Sequence, residues 1–467
     1  MRFNYPSAVF LLRYRNKWKT RLFRFIIVAH LCDMASSGQA IPPSAAAMPL
    51  GFRAAAVKVD ITPEDSQHLL GYGTRKSKGV YNRIFHRIVI LDDGISQFIL
   101  VSTEICIISP AEYERVLARI SSRFGIPPSC FWWATTHTHS APEVGEPSLD
   151  KIFLGERYQH SVDTVYTALV EQKIIDGIEQ ARRNLVPAQL GVGWGFAQAN
   201  INRRAIDSNG KAFLGMNPDG AVDRRIGLVR IDRLDGTPLA LIANYPLHGT
   251  VFGDRNLEIS GDAPGIVAEY VEQQMGGLLL FINGAAGNLA PIYSTDVNAR
   301  AGRLEQFRVL LGDKILSANH RIFSVGNSIK LKTGVVIVET PRKHGLGWPT
   351  DLNNYARATS SGLNLVRIPI HFLKINDEIV IWSAPLELFC EIANTIRDRS
   401  PSPFTFYFGY VNGWLGYMLP ALEYRYGGYE VSVSPYTPEA ANTLIEAVAG
   451  YLQGEMQSEQ GEKNNLR

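Results

Sequence analysis

The chain has 467 residues, 46% of them hydrophobic, which is enough to bury the core of one large or two ordinary domains and excludes disorder for the bulk of it. With 47 Lys and Arg against 44 Asp and Glu the formal charge is only +3, so no nucleic-acid partner is expected. Four cysteines do not make a disulfide framework for a chain this long, and Cys106, Cys130 and Cys390 read as buried thiols within apolar runs.

The first 25 residues carry Arg2, Arg13, Arg15, Lys17, Lys19, Arg21 and Arg24 and no acid, and an apolar stretch then begins at Phe25 and ends in small residues near Ala40. This is the outline of a secretory signal, but His30 and Asp33 interrupt its core, which is too short to span a bilayer. A degenerate export signal, an amphipathic interfacial helix and a gene-start extension all stay open. The first two imply export or peripheral membrane contact, the third a cytoplasmic protein. Residues 1–45 are therefore set apart, residues 46–456 are taken as one α/β unit, and the polar tail 457–467 is expected to fray.

Residues 54–62 read as a first strand, and 86–92 with 97–103 as a hairpin turning at Asp93-Gly94. Residues 110–124 alternate at helical period, with Ala111, Val116, Leu117 and Ile120 on one stripe. They lead into CFWWATTHTHSAP, residues 130–142, an apolar strand-like run that ends in His137 and His139. If the backbone is still extended there, the i,i+2 spacing puts both imidazoles on one side, with Thr136 and Thr138 on the other. Such a pair is either a metal or catalytic site or simply a polar strand end, and partners must decide.

Residues 163–184 form the most regular helix, with Tyr166, Val170, Ile174 and Ile178 recurring every four residues. A glycine-containing strand over 189–199 precedes NINRR, residues 200–204, and a polar loop to Gly220 whose basic side chains have no evident fold role. Residues 226–231 and 238–245 make a second hairpin, and the latter strand ends in Pro246-Leu247-His248, so again an apolar run delivers a histidine. Asp262 suits the N-cap of a helix over 264–274. The strand 277–282 runs into Asn283-Gly284-Ala285-Ala286-Gly287-Asn288, where small residues either bring backbone N–H groups close to an anion or merely turn the chain.

A further helix is expected over 304–322 and strands over 330–338 and 365–375, with the loop 341–362 between them long enough for a lid or rim. The strand 378–383 leads to a helix beginning at Leu386, which places Glu387 at a strand-to-helix junction. The aromatic strand 404–410 delivers Asn412, Trp414 and Tyr417, whose rings read as packing. A helix over 437–456 closes an architecture of mixed sheets with flanking helices. Two histidines and a carboxylate from separate strand ends make a familiar catalytic zinc arrangement, and zinc suits these N and O ligands better than calcium or magnesium.

The blocks THTHSAP (136–142), NINR (200–203), HGT (248–250) and NGAAGNLAP (283–291) closely resemble the neutral/alkaline, non-lysosomal ceramidase family, over residues 52 to about 440. The resemblance implies an α/β catalytic domain with one zinc that hydrolyses the amide of N-acylsphingosines, so ceramide, a related lipid or another N-acylated compound is the expected substrate. It also implies His137, His248, Glu387 and Tyr417 as zinc ligands, His139 as a second active-site histidine, and Arg203 and Tyr429 as polar groups near the scissile bond. Asn283, Gly284, Ala285, Gly287, Asn288 and Ala290 then form the candidate oxyanion or substrate loop. Where the family has a serine, in a motif resembling GNLSP, this chain has Ala290, which can neither attack nor donate a hydrogen bond. The immunoglobulin-like C-terminal domain of the family is expected to be lacking.

Overall fold

Strands that are apolar on both faces need cover on both sides, and that requirement sets the layers of this protein. The structure is a computed structural model describing residues 51–292 and 303–465, with side chains to residue 454. The expectations for residues 1–45, including Cys32, lie outside these residues. The described residues all belong to one compact unit, Pro49–Arg467.

The first sheet is built from β1 (Arg53–Asp60), β2 (Phe85–Asp92), β3 (Gln97–Thr103), β4 (Phe131–Thr135), β5 (Val186–Phe196), β6 (Arg225–Arg233), β7 (Pro238–Tyr245) and β8 (Leu278–Asn283). Their order is β8-β7-β6-β5-β1-β2-β3-β4, and only β3–β4 and β7–β8 are parallel neighbours along it. The second sheet has the order β9 (Leu331–Pro341), β10 (Asn364–Ile375), β11 (Ile379–Ser383), β12 (Phe404–Phe408), with β11 and β12 parallel.

Alternation along the strands assigns each side chain to a layer. Leu100, Trp132, Ile231 and Leu280 share a core with Leu373, Ile381, Phe406 and Phe408, so the two sheets pack face to face. The outer face of the first sheet, with Ile90, Val101 and Trp133, is covered by α1 (Pro110–Phe124) and α2 (Thr164–Arg183), and its β7–β8 end by α3 (Asp262–Met275). Ile370, Phe372 and Trp382 on the outer face of the second sheet lie under α4 (Cys390–Arg399) and α5 (Ala440–Asn465). The consecutive tryptophans therefore part company: Trp132 packs edge-on against Phe98 at 5.1 Å between the sheets, and Trp133 donates its Nε1–H to Thr103 at 2.8 Å on the helix side.

Local chemistry accounts for the helix ends. Ser109 accepts the Glu112 N–H ahead of Pro110, Gly125 closes α1 in the left-handed region at φ 70°, and Asp163 accepts the N–H groups of Val165 and Tyr166. Cys106, Cys130 and Cys390 are free and buried.

Five expectations need correction. Residues 200–220 are not a loop but a hairpin, Asn200–Ile206 with Ala212–Asn217, and Leu289–Pro291 pairs on its other edge. The helix expected to start at Leu386 starts at Cys390, because the N–H groups of Glu387 and Phe389 go to the carbonyls of Gly416 and Met418 and make a short parallel ribbon instead. The helix expected over 304–322 is interrupted by a π-helical turn at Arg308–Gly312. The segment 341–362 is tied down, since Leu352 and Tyr355 are buried and Ala356–Ala358 pairs with β10. The closing helix runs to Asn465, through the tail expected to fray. No helix among the described residues is long and apolar enough to cross a membrane.

Beneath α2, fully buried His86 bonds through Nδ1 to Thr103 Oγ1 at 2.7 Å and through Nε2 to the Val170 carbonyl at 3.1 Å. Burial pushes its pKa down to about 3 from 6.5, so below pH 6.5 the unfolded chain binds the extra proton. This group's stabilisation is complete above pH 6.5 and declines by about 1.4 kcal/mol per pH unit as the pH falls toward 3. Urea unfolding of the wild type and His86→Gln at pH 7.5 and 5 checks this: the acid loss should be smaller in the variant, and equal losses would count against it.

Candidate metal centre and active site

The carboxyl ends of β4, β7, β8 and β12 meet at one place. Thr138 bridges to Gly249, Ala134 bridges to Val411, and the N–H of Gly409 reaches the Asn283 carbonyl at 2.9 Å. The close approach of the two histidine loops requires glycine at 249, where a Cβ would lie 2.6 Å from the Thr138 Cα. The strand ends at Thr135, and His137 is left-handed at φ 64°. The extended-backbone premise for the HxH pair therefore fails, yet the imidazoles still converge, with Nε2 of His139 3.2 Å from Nε2 of His137. Tyr410 and Asn412 are left-handed too, so positive φ clusters where the strand ends deliver side chains.

His137 Nδ1 lies 3.0 Å from the Cys106 carbonyl and His248 Nδ1 2.9 Å from that of Leu289. Donation from both Nδ1 atoms fixes the tautomer and aims both Nε2 atoms inward. They meet Oε2 of Glu387 at 3.4 and 3.2 Å. The ligand atoms of His137, His248 and Glu387 all lie within 4.8 Å of one another, and so do those of a second group, Cys106, His137 and His139. Glu387 is aimed by Trp414, whose Nε1–H donates to Oε1 at 2.8 Å, and by the Tyr410 hydroxyl, which donates to Oε2 at 3.3 Å.

Burial opposes charge on His137, but Cys106 and Glu387 outweigh it and push its pKa up to about 10. Burial, then the Arg203 charge, pushes His248 down to about 3, and burial with the His137 and His248 charges holds His139 well below 6.5. Burial would raise Glu387, yet His137 and then His248 hold it well below the carboxylate range. A buried anion is thus balanced by a proton on an imidazole, and a cation fits the same place. His248 Nε2 is the clearest sign of fit: with Nδ1 donating to Leu289 it is a fully buried acceptor, and it faces only another acceptor, Oε2 of Glu387 at 3.2 Å, so it makes no hydrogen bond.

Tyr417 faces Glu387 across the ribbon and accepts a hydrogen bond from Arg203 at 3.0 Å. Arg203 and Arg204, which the sequence left without a fold role, share the buried carboxylate of Glu430 at 2.9 and 2.6 Å. Tyr429 lies with its ring 5.8 Å from that of Tyr417, and burial raises its hydroxyl pKa to about 12 while Arg157 donates to it at 3.4 Å. The glycine-rich loop is tied into the fold: Gly284, Gly287 and Leu289 give their N–H groups to Tyr245, Leu388 and Ala286. Asn283 clamps both backbone groups of Leu247 and the Thr136 carbonyl, Asn288 accepts the N–H of Cys390, Ala285 is buried, and Ala290 is buried opposite Ile201. Asp262 is structural, accepting the N–H groups of Val251, Phe252 and Ala263.

Residues 52–286, half of the chain, match the family described as neutral/alkaline non-lysosomal ceramidase, N-terminal. The chain belongs to this family. Neutral ceramidases B and A of Dictyostelium discoideum are each 28% identical to it over 231 residues, 47% of this chain and 31% of theirs. The match thus spans about a third of the length of those relatives. Neutral ceramidase from Pseudomonas aeruginosa has the same mixed α/β fold, with a TM-score of 0.69 over 86% of this chain and 74% of its own, at 18% identity. A ceramidase complexed with C2 gives 0.70 over 88% and 76%. The chain therefore has a ceramidase-family hydrolase fold with a candidate metal-binding cluster.

The roles of Trp414, Tyr410, Cys106 and Arg157 at the site have no clear mark in the sequence, where Trp414 reads as packing and Cys106 as a buried thiol. For Trp414 the only available signal was a lone indole donor near the family blocks; nothing local marks the Cys106 carbonyl. On the far side of His139, Gly71 is left-handed at φ 104°, and a Cβ there would stand 2.3 Å from His139 Nδ1. Gly71→Ala is expected to displace that ring and cost about 1–3 kcal/mol, read by urea unfolding. A change within about 0.5 kcal/mol would mean that the ring yields freely.

Proposed function

We propose that this protein is a zinc-dependent hydrolase of an amide bond in an N-acylated lipid or small molecule. The observation that carries the reading is the buried His137–His248–Glu387 cluster with both imidazoles held through Nδ1. His137, His248 and Glu387 would hold the ion, with Tyr417 beside them as a fourth candidate ligand. Zinc bound there supplies Lewis acidity, polarising a carbonyl and making water a competent nucleophile near neutral pH.

The chain's own groups do the rest. His139, neutral because it is buried among cations, takes and returns a proton at Nε2. Arg203, locked by Glu430, holds the Tyr417 oxygen, and Tyr429 and Arg203 direct donors toward developing negative charge on the carbonyl oxygen. Ala290 contributes no hydroxyl, so the attacking group in this reading is water.

Metal analysis of the purified protein tests the first step: near-stoichiometric zinc, lost in His137→Ala and His248→Ala, is expected, and metal-free protein after gentle purification would sink the reading. Alanine at position 290 favours a second reading, a binding protein that keeps the fold and the ion without turnover. Zinc-dependent hydrolysis of short-chain ceramide or another acyl amide, abolished in His139→Ala, would exclude it. An esterase or deacetylase would share the same carbonyl geometry, and ester and acetamide substrates belong in the same screen.

A further inference from the structure

Beside the cluster stand two arginines that form no ion pair among the described residues. Arg75 is 8% exposed. It gives its terminal N–H groups to the carbonyls of Asn256, Leu70 and His139, and its Nε has no partner. Its guanidinium lies 4.7 Å from the Tyr72 ring, and that ring packs edge-on against His139 at 4.9 Å. Arg157 approaches from the turn Gly155–Arg157, whose Arg157 carbonyl accepts the Thr74 hydroxyl at 3.2 Å, so the two arginines are carried by segments docked on each other. Among the described residues its only hydrogen bond from the guanidinium is the long one to Tyr429.

Among the described residues no carboxylate forms an ion pair with either guanidinium. Asp150 acts on Arg157 through space without pairing with it, and its Oδ2 accepts the Tyr158 hydroxyl. By contrast Arg203 and Arg204 are fully paired with Glu430 and Glu423. The two guanidinium charges repel each other, and Asp254 and Asp150 act on Arg75 and Arg157 only through space, with no ion pair to either, so an anion that paired directly would be held there. A guanidinium that is partly buried, held only by one long hydrogen bond and beside a candidate catalytic histidine is suited to fork onto two oxygens of a substrate acid.

We propose that Arg157, with the Arg75 charge behind it, binds an acidic group of the substrate, so that the N-acyl compound taken by this protein carries a carboxylate or a phosphate near its amide. The inference deepens the hydrolase reading by naming its substrate class, but it is tested by binding and does not need turnover.

Calorimetry on the purified full chain would compare three matched probes: N-hexanoylglycine, N-hexanoylphosphoethanolamine and neutral N-hexanoylethanolamine. At least one acid should bind about tenfold or more tighter than the neutral probe, and whichever acid is preferred assigns carboxylate or phosphate. In Arg157→Gln that preference should fall about tenfold, and Arg157→Lys should restore part of it. An acid held by the metal alone would keep its preference in Arg157→Gln, and that result would overturn the proposal, as would equal binding of all three probes or binding of none. If Arg157→Gln fails to fold, the wild type still decides: added salt must weaken the acid probe and spare the neutral one. Acid-selective binding with no hydrolysis of any probe would leave this proposal standing and count against the hydrolase reading alone.

Discussion

Glu387→Gln is expected to abolish metal retention and to lower kcat/KM on any N-acyl substrate by at least about a thousandfold, close to 4 kcal/mol of transition-state stabilisation. Glutamine fills the same space and can still accept from Trp414 Nε1 at its oxygen, while its amide nitrogen donates to the Tyr410 oxygen instead of accepting from it, so the change is chiefly the loss of one buried charge. That charge is the only acidic side chain in the His137–His248–Glu387 group, and without it two imidazoles must hold a dication by themselves. Metal content after dialysis and kcat/KM on the best acyl amide are the measurements. Retention of zinc at wild-type stoichiometry by the glutamine variant would remove Glu387 from the ligand set.

Glu430→Gln is the second large effect, and it falls first on stability. Glu430 is 1% exposed and accepts from both Arg203 and Arg204, whose side chains are 8% and 3% exposed. Breaking one partner of a buried ion pair costs about 3–5 kcal/mol, because the remaining charge stays buried without compensation. Arg204 keeps Glu423 at 2.9 Å and Arg203 keeps only the Tyr417 hydroxyl, so the loss falls mainly on Arg203. Urea unfolding should report a loss in that range, and the surviving folded protein should have reduced kcat because the Tyr417 oxygen is less firmly held. A stability change under about 1 kcal/mol would mean that solvent reaches the pair and that its positioning role is slight.

Much of this site is legible along the chain because its ligands sit where strong local signals end. The run Phe131–Trp133 and the run ending at Tyr245 each stop just short of a histidine, and an apolar strand end in a layered α/β protein is where side chains enter a crevice. Glu387 is marked in the same way by the apolar strand before it, although the helix expected to carry it begins three residues later. Asp262 reads as a cap from its sequence alone, yet the helix is capped at Gly261 without a side-chain bond and Asp262 instead holds the loop after His248.

Other features have no local signature. The ribbon between Glu387–Leu388 and Tyr417–Met418 joins segments whose own sequences favour nothing in particular, and backbone pairing with a distant partner overrides the helical pattern. The roles of Trp414 and Tyr410 as donors to Glu387 follow from that ribbon and from the left-handed turn after β12. The same holds for Arg203 and Arg204, whose common carboxylate lies more than two hundred residues away.

By itself, then, the sequence determined the kinds of elements, the alternation that makes two sheets covered by helices, and which runs end in residues able to bind a metal, because propensity, capping and period are local. Only the tertiary structure decided that His137 turns left-handed yet still meets His139, that the glycine-rich loop spends N–H groups on the fold, and that Arg157 reaches Tyr429 without forming an ion pair among the described residues. Those outcomes depend on which strand ends lie beside one another. Strand order is fixed by burying both faces of two sheets at once, a condition that no window of the chain contains.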